Sequence, residues 1–425
     1  VIAGLIELDE EASARLPAGV LLRRERDAAA RLTRVRELDP GAAHHHFAGA
    51  SLGVAAGVYR AVGGLEPVAA LEDAAFEARL REHGVPILRA ADVRVRTSAR
   101  IQGRAQRGLA VDIAVFSWSE RRRYAASEFV PERLAEAKGT TSVTVIIPTK
   151  ECATSIDPIL RQTVAPLQRA GLVDELVVVD AASTDDTADV ARAAGASVLQ
   201  QDDLLPEHGP TVGKGDAMWR ALHATSGDVV CFLDGDTANP DPRHLQGLLG
   251  PLLTDRVVAL VKGAFDRPLR VGDVDVQHEG GRVTELMARP LINLHEPRLA
   301  GFSQPLAGEF AARRTLLEAI PFAAGYGVEI GILIDSLRTC GLDALAECQL
   351  GTRHNRHQPL RALGEMAYAV LATVENRLES RPNIACGRYL RPWDGDAVAQ
   401  VPVRERPPLN SLAPRSHRIN GRARV

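Results

Sequence analysis

Between Ser142 and Leu233 four apolar, largely β-branched runs, SVTVIIP, DELVVVD, ASVLQ and DVVCFL, are separated by three stretches of helical character. Strands joined by helix-length connections cross over to pair in parallel, so this alternation calls for a mainly parallel sheet with helices on both faces. Runs that carry no polar alternation belong to strands buried on both sides. The helical stretches have suitable ends: Gly171 closes the first, Ser183 or Asp185 can cap the second and Gly195 closes it, and the third opens on glycines and stops at Gly227.

In open α/β sheets ligands bind beyond the carboxyl ends of the strands. Polar residues collect there in this chain. Pro148, Thr149, Lys150 and Glu151 follow the first run, Asp180 and Ser183 the second, Lys214 sits in the glycine turn TVGKGDAMW, and the fourth run ends in Asp234-Gly235-Asp236. Singly these signals are weak, since an Asp at a strand end often only caps a helix and a Lys in a glycine turn is usually solvated. Two carboxylates at the tip of a buried strand repel unless a cation lies between them, and hard divalent ions are commonly shared by carboxylates and a substrate's phosphates. The pair at 234 and 236 therefore suggests a metal–diphosphate site. The same spacing recurs at Asp273/Asp275 and Asp394/Asp396 without a buried run before it, and those pairs read as turns.

At 425 residues the chain has room for two or three domains. A net charge of −3 gives no electrostatic case for nucleic acid. No apolar run approaches the roughly 18 residues of a membrane span. Five scattered cysteines without Cys-x-x-Cys spacing fit reduced thiols in a cytoplasmic protein. Residues 119–141 are charged and read as a connector containing a helix; residues 401–425, with Arg404, Arg406, Arg415, Arg418, Arg422 and Arg424 among prolines, read as a poorly ordered tail. After about residue 280 the pattern turns more helical.

Blocks of this sequence carry a resemblance. VIIPTKE, VVVDAASTDDT and FLDGD look like the nucleotide-sugar half of a GT-A glycosyltransferase. GKGDAMWRALHATSGDVVCFLDGDTANP, LVKGAFDRPL, GGRVTELMARPL, QPLAGEFAARR and PFAAGYGVEIGILID, in this order over residues 120–410, resemble the glucosyl-3-phosphoglycerate synthases. The resemblance implies a GT-A domain over residues 142–400, Rossmann-like with a more helical acceptor part, acting as a homodimer. It implies retaining transfer of glucose from UDP-glucose to 3-phosphoglycerate with Mg²⁺ or Mn²⁺. Mannosyl transfer from GDP-mannose and a non-catalytic nucleotide-sugar-binding protein remain as rival readings.

By position, the resemblance puts Pro148, Thr149, Glu151 and Ser183 against the uridine and Lys214 by the diphosphate. Asp234 and Asp236 become the Asp-x-Asp pair, with Asp236 on the metal. Gly281, Arg282, Val283 and Thr284 form the acceptor loop, where free N–H groups and a guanidinium suit a phosphate and a carboxylate. Tyr326 and Glu329 fall at the donor sugar; without the resemblance Glu329 reads as a buried charge with a partner. Two places depart from the family pattern. Pro148–Glu151 is one residue short of the family's Pro-x-x-Asn-Glu, and strict register puts Asn355 where a metal-ligating His is expected, with His354 and His357 beside it.

Residues 1–118 resemble the second half of an inverting family 2 glycosyltransferase, with Glu72-Asp73 as its acid pair. No nucleotide-binding half precedes them, so this segment is expected to be inactive or a fragment of a longer fusion. His44-His45-His46 has no carboxylate or cysteine spacing to make it a metal site.

Overall fold

The apolar runs form the strands their composition calls for. A computed structural model describes the chain except residues 68–71, 102, 104–106, 272–273, 277–279, 355–357, 379–383, 385–386, 395–396 and 413–425. Asn355, His357, Asp273, Asp396 and Cys386 thus lie outside the described residues. The chain divides into two units, Val1–Arg121 and Arg122–Val425.

The second unit is built on an eight-stranded sheet. Its strands are β1 (Arg123–Ala125), β2 (Val143–Thr149), β3 (Glu175–Asp180), β4 (Ser197–Gln200), β5 (Val229–Phe232), β6 (Leu260–Asp266), β7 (Phe310–Arg313) and β8 (Leu345–Thr352), in the order β1-β8-β6-β7-β5-β2-β3-β4. All neighbours pair in parallel except β7, which runs antiparallel to both β5 and β6. Burial explains the apolar runs: Val143, Val145, Ile146, Ile147, Val229, Val230 and Cys231 have no exposed surface. Four helices matter below: α1 (Lys214–Ala224), α2 (Pro242–Thr254), α3 (Val328–Cys340) and α4 (Leu360–Glu375).

β7 and β8 come from the region whose pattern reads as helical. Phe310–Arg313 is four residues with two alanines, and Leu345–Thr352 carries the buried Glu347. Glu347 is satisfied locally by the N–H (2.6 Å) and hydroxyl (2.8 Å) of Ser303. A buried acid of this kind hides a strand from periodicity. β7 also positions the site: Phe310 sits opposite Phe232 at the end of β5 and Lys262 in β6, so Gly308 and Glu309 reach the tip of β5.

Two boundaries need correction. Residues 119–141 are no connector. The division falls inside them, Arg123–Ala125 joins the sheet beside β8, and Phe129 packs against Gly250 of α2 so tightly that a Cβ there would meet the ring at 2.3 Å. The helix expected in this stretch is present at Pro131–Lys138. The tail, too, is structured through Leu412: Val401 and Val403 are buried, and Glu405–Arg406 pairs antiparallel with Phe322–Ala323. Partners distant in the chain give this proline-rich stretch its order, which local composition cannot reveal.

The first unit has a three-stranded sheet, in which Ile2–Leu8 pairs antiparallel with Leu52–Gly53 and parallel with Leu88–Thr97. Helices Ala18–Leu38 and Glu72–Glu82 accompany it, with Ala3, Phe47, Val62, Phe76 and Leu80 in the core. Glu72 and Asp73 open the second of these helices, and Asp73 accepts the Gly49 N–H at 3.3 Å. Among the described residues no helix of the chain is long and apolar enough to cross a membrane.

Candidate active site

The loops after β2 and β3 interlock. Glu151 (φ +53°) and Ala182 (φ +51°) both lie in the left-handed region, which non-glycine residues enter at a cost and mostly at functional sites. The Glu151 N–H donates to Ser183 Oγ at 2.9 Å, and its carboxylate accepts the N–H (2.9 Å) and hydroxyl (3.2 Å) of Thr184. Asp180, nearly inaccessible, takes the N–H (3.1 Å) and hydroxyl (2.6 Å) of Ser183 and the Gln200 amide (3.0 Å). The segment that departs from the family pattern is thus tied down by its own acid, and Asp180 works as a turn lock.

The tip of β5 carries the charge cluster. Lys214, first residue of α1, donates to Asp234 Oδ1 at 2.7 Å and to Glu329 Oε1, in the first turn of α3, at 2.9 Å. Burial opposes the lysine's charge, but Asp234 and Glu329 outweigh it and hold its pKa above the ordinary value. Burial likewise works against Asp234, yet Lys214 keeps its carboxyl below the usual range. Glu329 is thus a buried acid with a partner, and that partner is the lysine of the candidate cluster. Asp236 differs. It faces solvent, and crowding by surrounding protein, then the charge of Asp234, raise its pKa. Lys214 pairs with two of the three acids of this cluster, Asp234 and Glu329, and Asp236 is the third, with Arg267 among the cations whose charge reaches both aspartates.

Glycines permit this packing. A Cβ on Gly308 would lie 2.3 Å from Asp234 Oδ1 and 2.5 Å from Lys214 Nζ. One on Gly235 would meet the Thr149 methyl at 2.8 Å and the Pro148 carbonyl at 3.2 Å. One on Gly215 would strike the Ala323 carbonyl at 1.9 Å, so α1 starts directly against the strand that leads to α3.

Behind the acids lie charges that sequence reasoning missed. Lys262 is inaccessible in β6 and donates to the Ala307 carbonyl; burial lowers its pKa to about 8, with Glu329 the leading opposing charge. Its signal was a lysine inside LVKGAFD, an otherwise apolar run. Glu309 is paired with Arg353, which also contacts His244 Nδ1 at 2.9 Å; burial and then Arg353 push His244 down to about 4. Arg353 precedes a loop stapled to the Asp-x-Asp turn. Ala238 N–H donates to the His354 carbonyl (3.1 Å), His354 N–H to Asn239 Oδ1 (3.0 Å), and the Asn239 amide to the Thr352 carbonyl (2.7 Å). Asn355 and His357, expected near the metal, follow this staple but lie outside the described residues.

In the expected acceptor loop, Gly281 has φ +67° and its carbonyl accepts the Glu285 N–H at 3.1 Å; Val283 precedes a π-helical turn over Thr284–Ala288, with Thr284 buried. Arg282 is half-buried and donates to the Gln358 carbonyl at 2.7 Å. Tyr326 is half exposed between Gly325 and Gly327.

A family model, Glycosyl transferase family 2, matches residues 144–299. A glucosyl-3-phosphoglycerate synthase of Mycolicibacterium smegmatis is 44% identical over 287 residues, covering 66% of this chain and 93% of the relative. Among solved structures, a mannosyl-3-phosphoglycerate synthase from Rubrobacter xylanophilus aligns with TM-score 0.63 and 41% identity over 70% of this chain and 97% of its own. The glucosyl-3-phosphoglycerate synthase from Mycobacterium tuberculosis in complex with Mn²⁺, uridine-diphosphate-glucose and phosphoglyceric acid aligns with TM-score 0.59 and 42% identity over 66% and 95%.

Proposed function

The chain belongs to the glucosyl-3-phosphoglycerate synthase family, and on that premise we propose that its second unit transfers glucose, with retention, from UDP-glucose to 3-phosphoglycerate. The observation that carries this reading is the Lys214–Asp234–Glu329 cluster at the carboxyl end of β5, with Asp236 turned outward beside it. The donor set suits Mg²⁺ or Mn²⁺: an oxygen ligand whose pKa is raised by burial and then by a neighbouring carboxylate gains from a hard cation. Asp236, with Asn355 and His357 as the candidates from the sequence, would hold such a cation, which would supply positive charge against the departing UDP.

The chain's own residues do the rest. Lys214 stays protonated between two acids and offers a fixed positive charge to the diphosphate. Glu329, locked by Lys214, lies where the donor sugar enters, and Tyr326 flanks it. Pro148, Thr149, Glu151 and Ser183 form the rigid floor under the uridine. Gly281, Arg282, Val283 and Thr284 present N–H groups, a guanidinium and a hydroxyl to the acceptor's two anionic groups. Free, unpaired thiols at Cys152, Cys231, Cys340 and Cys348 support a reducing, cytoplasmic setting, and the family likeness supports a homodimer.

One observation favours a second reading, mannosyl transfer from GDP-mannose: the likeness to the Rubrobacter xylanophilus structure. Purified protein with 3-phosphoglycerate and Mg²⁺, offered UDP-glucose or GDP-mannose, separates them. The glucosyl reading expects at least a tenfold higher kcat/KM with UDP-glucose. A reversed preference establishes the mannosyl reading, and no phosphorylated glycoside from either donor leaves a nucleotide-sugar-binding protein.

A further inference from the structure

The C-terminal segment holds a charge that the reaction chemistry leaves unexplained. Arg406, 5% exposed, donates to both oxygens of Asp216, at 2.8 and 2.6 Å. Asp216 is wholly buried in the first turn of α1, two residues after Lys214, and also accepts from Arg220 at 3.0 Å and from the Val212 N–H at 3.0 Å. The remaining guanidinium N–H groups are spent on one loop. Arg220 reaches the Leu204, Leu205 and Gly209 carbonyls, and Arg406 reaches those of His208 and Pro210. That loop, with Leu205 at φ +49°, leads straight into Gly213 and Lys214.

The same segment braces the lysine's other partner. Glu405–Arg406 pairs with Phe322–Ala323, the Ala324 N–H donates to the Arg404 carbonyl at 2.8 Å, and Gly325 packs on the Pro402 carbonyl. From there the chain enters α3 and Glu329 within five residues. The Asp216 N–H closes the circuit on the Ala324 carbonyl at 3.0 Å. The starts of α1 and α3, which together fix Lys214 between Asp234 and Glu329, both rest on a strand from the far end of the chain.

We propose that residues 402–407 are a positioning element of the donor site, in which Arg406 acts through Asp216 to set Lys214. The inference rests on the reading of Lys214 as a donor-site lysine. A plain structural staple predicts something different: a lower melting temperature, with unchanged affinity in the molecules that remain folded.

Arg406→Met tests this. It keeps an unbranched side chain, removes the guanidinium that lies over the Trp219 ring at 5.7 Å, and leaves Asp216 paired with Arg220, so the buried charge stays compensated. The readouts are UDP affinity by calorimetry in Mg²⁺, KM for UDP-glucose, KM for 3-phosphoglycerate and Tm. The positioning role expects UDP affinity to weaken and donor KM to rise about tenfold, with acceptor KM changed less than threefold. Arg406→Lys, which keeps the charge but loses the fork, is expected to recover part of the loss and decides the matter if the Met variant does not fold. Unchanged UDP affinity and donor KM in either folded variant, or an equal rise in both KM values, overturns the inference. Failure of the unmodified enzyme to use UDP-glucose with 3-phosphoglycerate would instead overturn the functional reading, because UDP affinity is measured without acceptor or turnover.

Discussion

Gly308→Ala is the smallest change that reaches the heart of the site. The added methyl would stand 2.3 Å from Asp234 Oδ1, 2.5 Å from Lys214 Nζ and 2.7 Å from Asp234 Oδ2. The backbone of Gly308 is not among the left-handed glycines, so alanine brings no conformational strain of its own. Ordinary contact begins near 3.4 Å, so the carboxylate must retreat by about 1 Å. The Asp234 side chain is 16% exposed and can swing toward solvent, but the 2.7 Å bond to Lys214 cannot survive that swing. A lost hydrogen bond between charged groups is worth about 1.5–3 kcal/mol, which corresponds to a roughly 10- to 150-fold fall in kcat/KM for the donor. Stability should fall by a similar amount, about 1–3 kcal/mol of overpacking, with Glu329 still holding the lysine. Steady-state kinetics with each substrate varied, alongside a thermal melt, make the test. Donor kcat/KM within threefold of the unmodified enzyme, at a normal Tm, would refute the claim that Gly308 is there to seat the Lys214–Asp234 pair.

Asp236→Ala is expected to lower turnover by at least about a thousandfold, since a metal's charge stabilisation is worth several kcal/mol; full activity in EDTA would remove Asp236 from the metal. Arg282→Ala should raise the acceptor KM roughly ten- to a hundredfold and leave the donor KM alone, with Arg282→Lys partly restoring it; a matching rise in donor KM counts against the acceptor assignment. A chain beginning at Ser119 should fold and retain synthase activity, because every candidate residue lies in the second unit; an insoluble product would mean that residues 1–118 support the core. In the first unit, burial and then the neighbouring imidazoles and Arg24 and Arg31 depress His46 to about 4, and His44 and His45 are lowered too. Unfolded chain takes up protons near pH 6.5 that the folded unit refuses, so its stability is full above that pH, declines toward about pH 4 and then levels. His46 should contribute about 2 kcal/mol after allowance for its partial exposure, read as faster hydrogen exchange in residues 1–121 at pH 5 than at pH 7 after correction for intrinsic rates. Equal protection at both pH values would show that the imidazoles titrate normally.

The parts of the fold legible in the sequence are those whose burial is uniform. Val143–Ile147 and Val229–Phe232 are inaccessible along their length, so their composition announces them. β7 and β8 escape because their environments are mixed: alanines tucked beside β5 in one, Glu347 answered by Ser303 in the other. The start of the front unit escapes as well, whereas its later helices and strand, Ala56–Ala61, Glu72–Glu82 and Leu88–Thr97, follow their sequence pattern. Ile2–Leu8 carries little alternation, and the 21-residue helix Ala18–Leu38 buries only Val20 fully. Local pattern reports how a segment meets water, and a segment that meets it half-way leaves little pattern.

The site divides along a different line. Lys214, Asp234 and Glu329 lie up to 115 residues apart and were found as chemistry-bearing side chains at strand and helix starts. Nothing in one dimension says that they touch, or that a single lysine must satisfy both acids while Asp236 faces out. Gly308 and Arg406 were invisible for complementary reasons. A glycine in LAGEF has no side chain to attract notice, and an arginine among prolines looks like solvated tail. Their roles exist only once β7 has been inserted antiparallel between β5 and β6 and the last strand has come home to Phe322–Ala323. Sequence therefore names the chemistry-bearing candidates. The groups that seat them are chosen by topology, and a methyl at Gly308 is expected to disturb the Lys214–Asp234 pair without removing either charge.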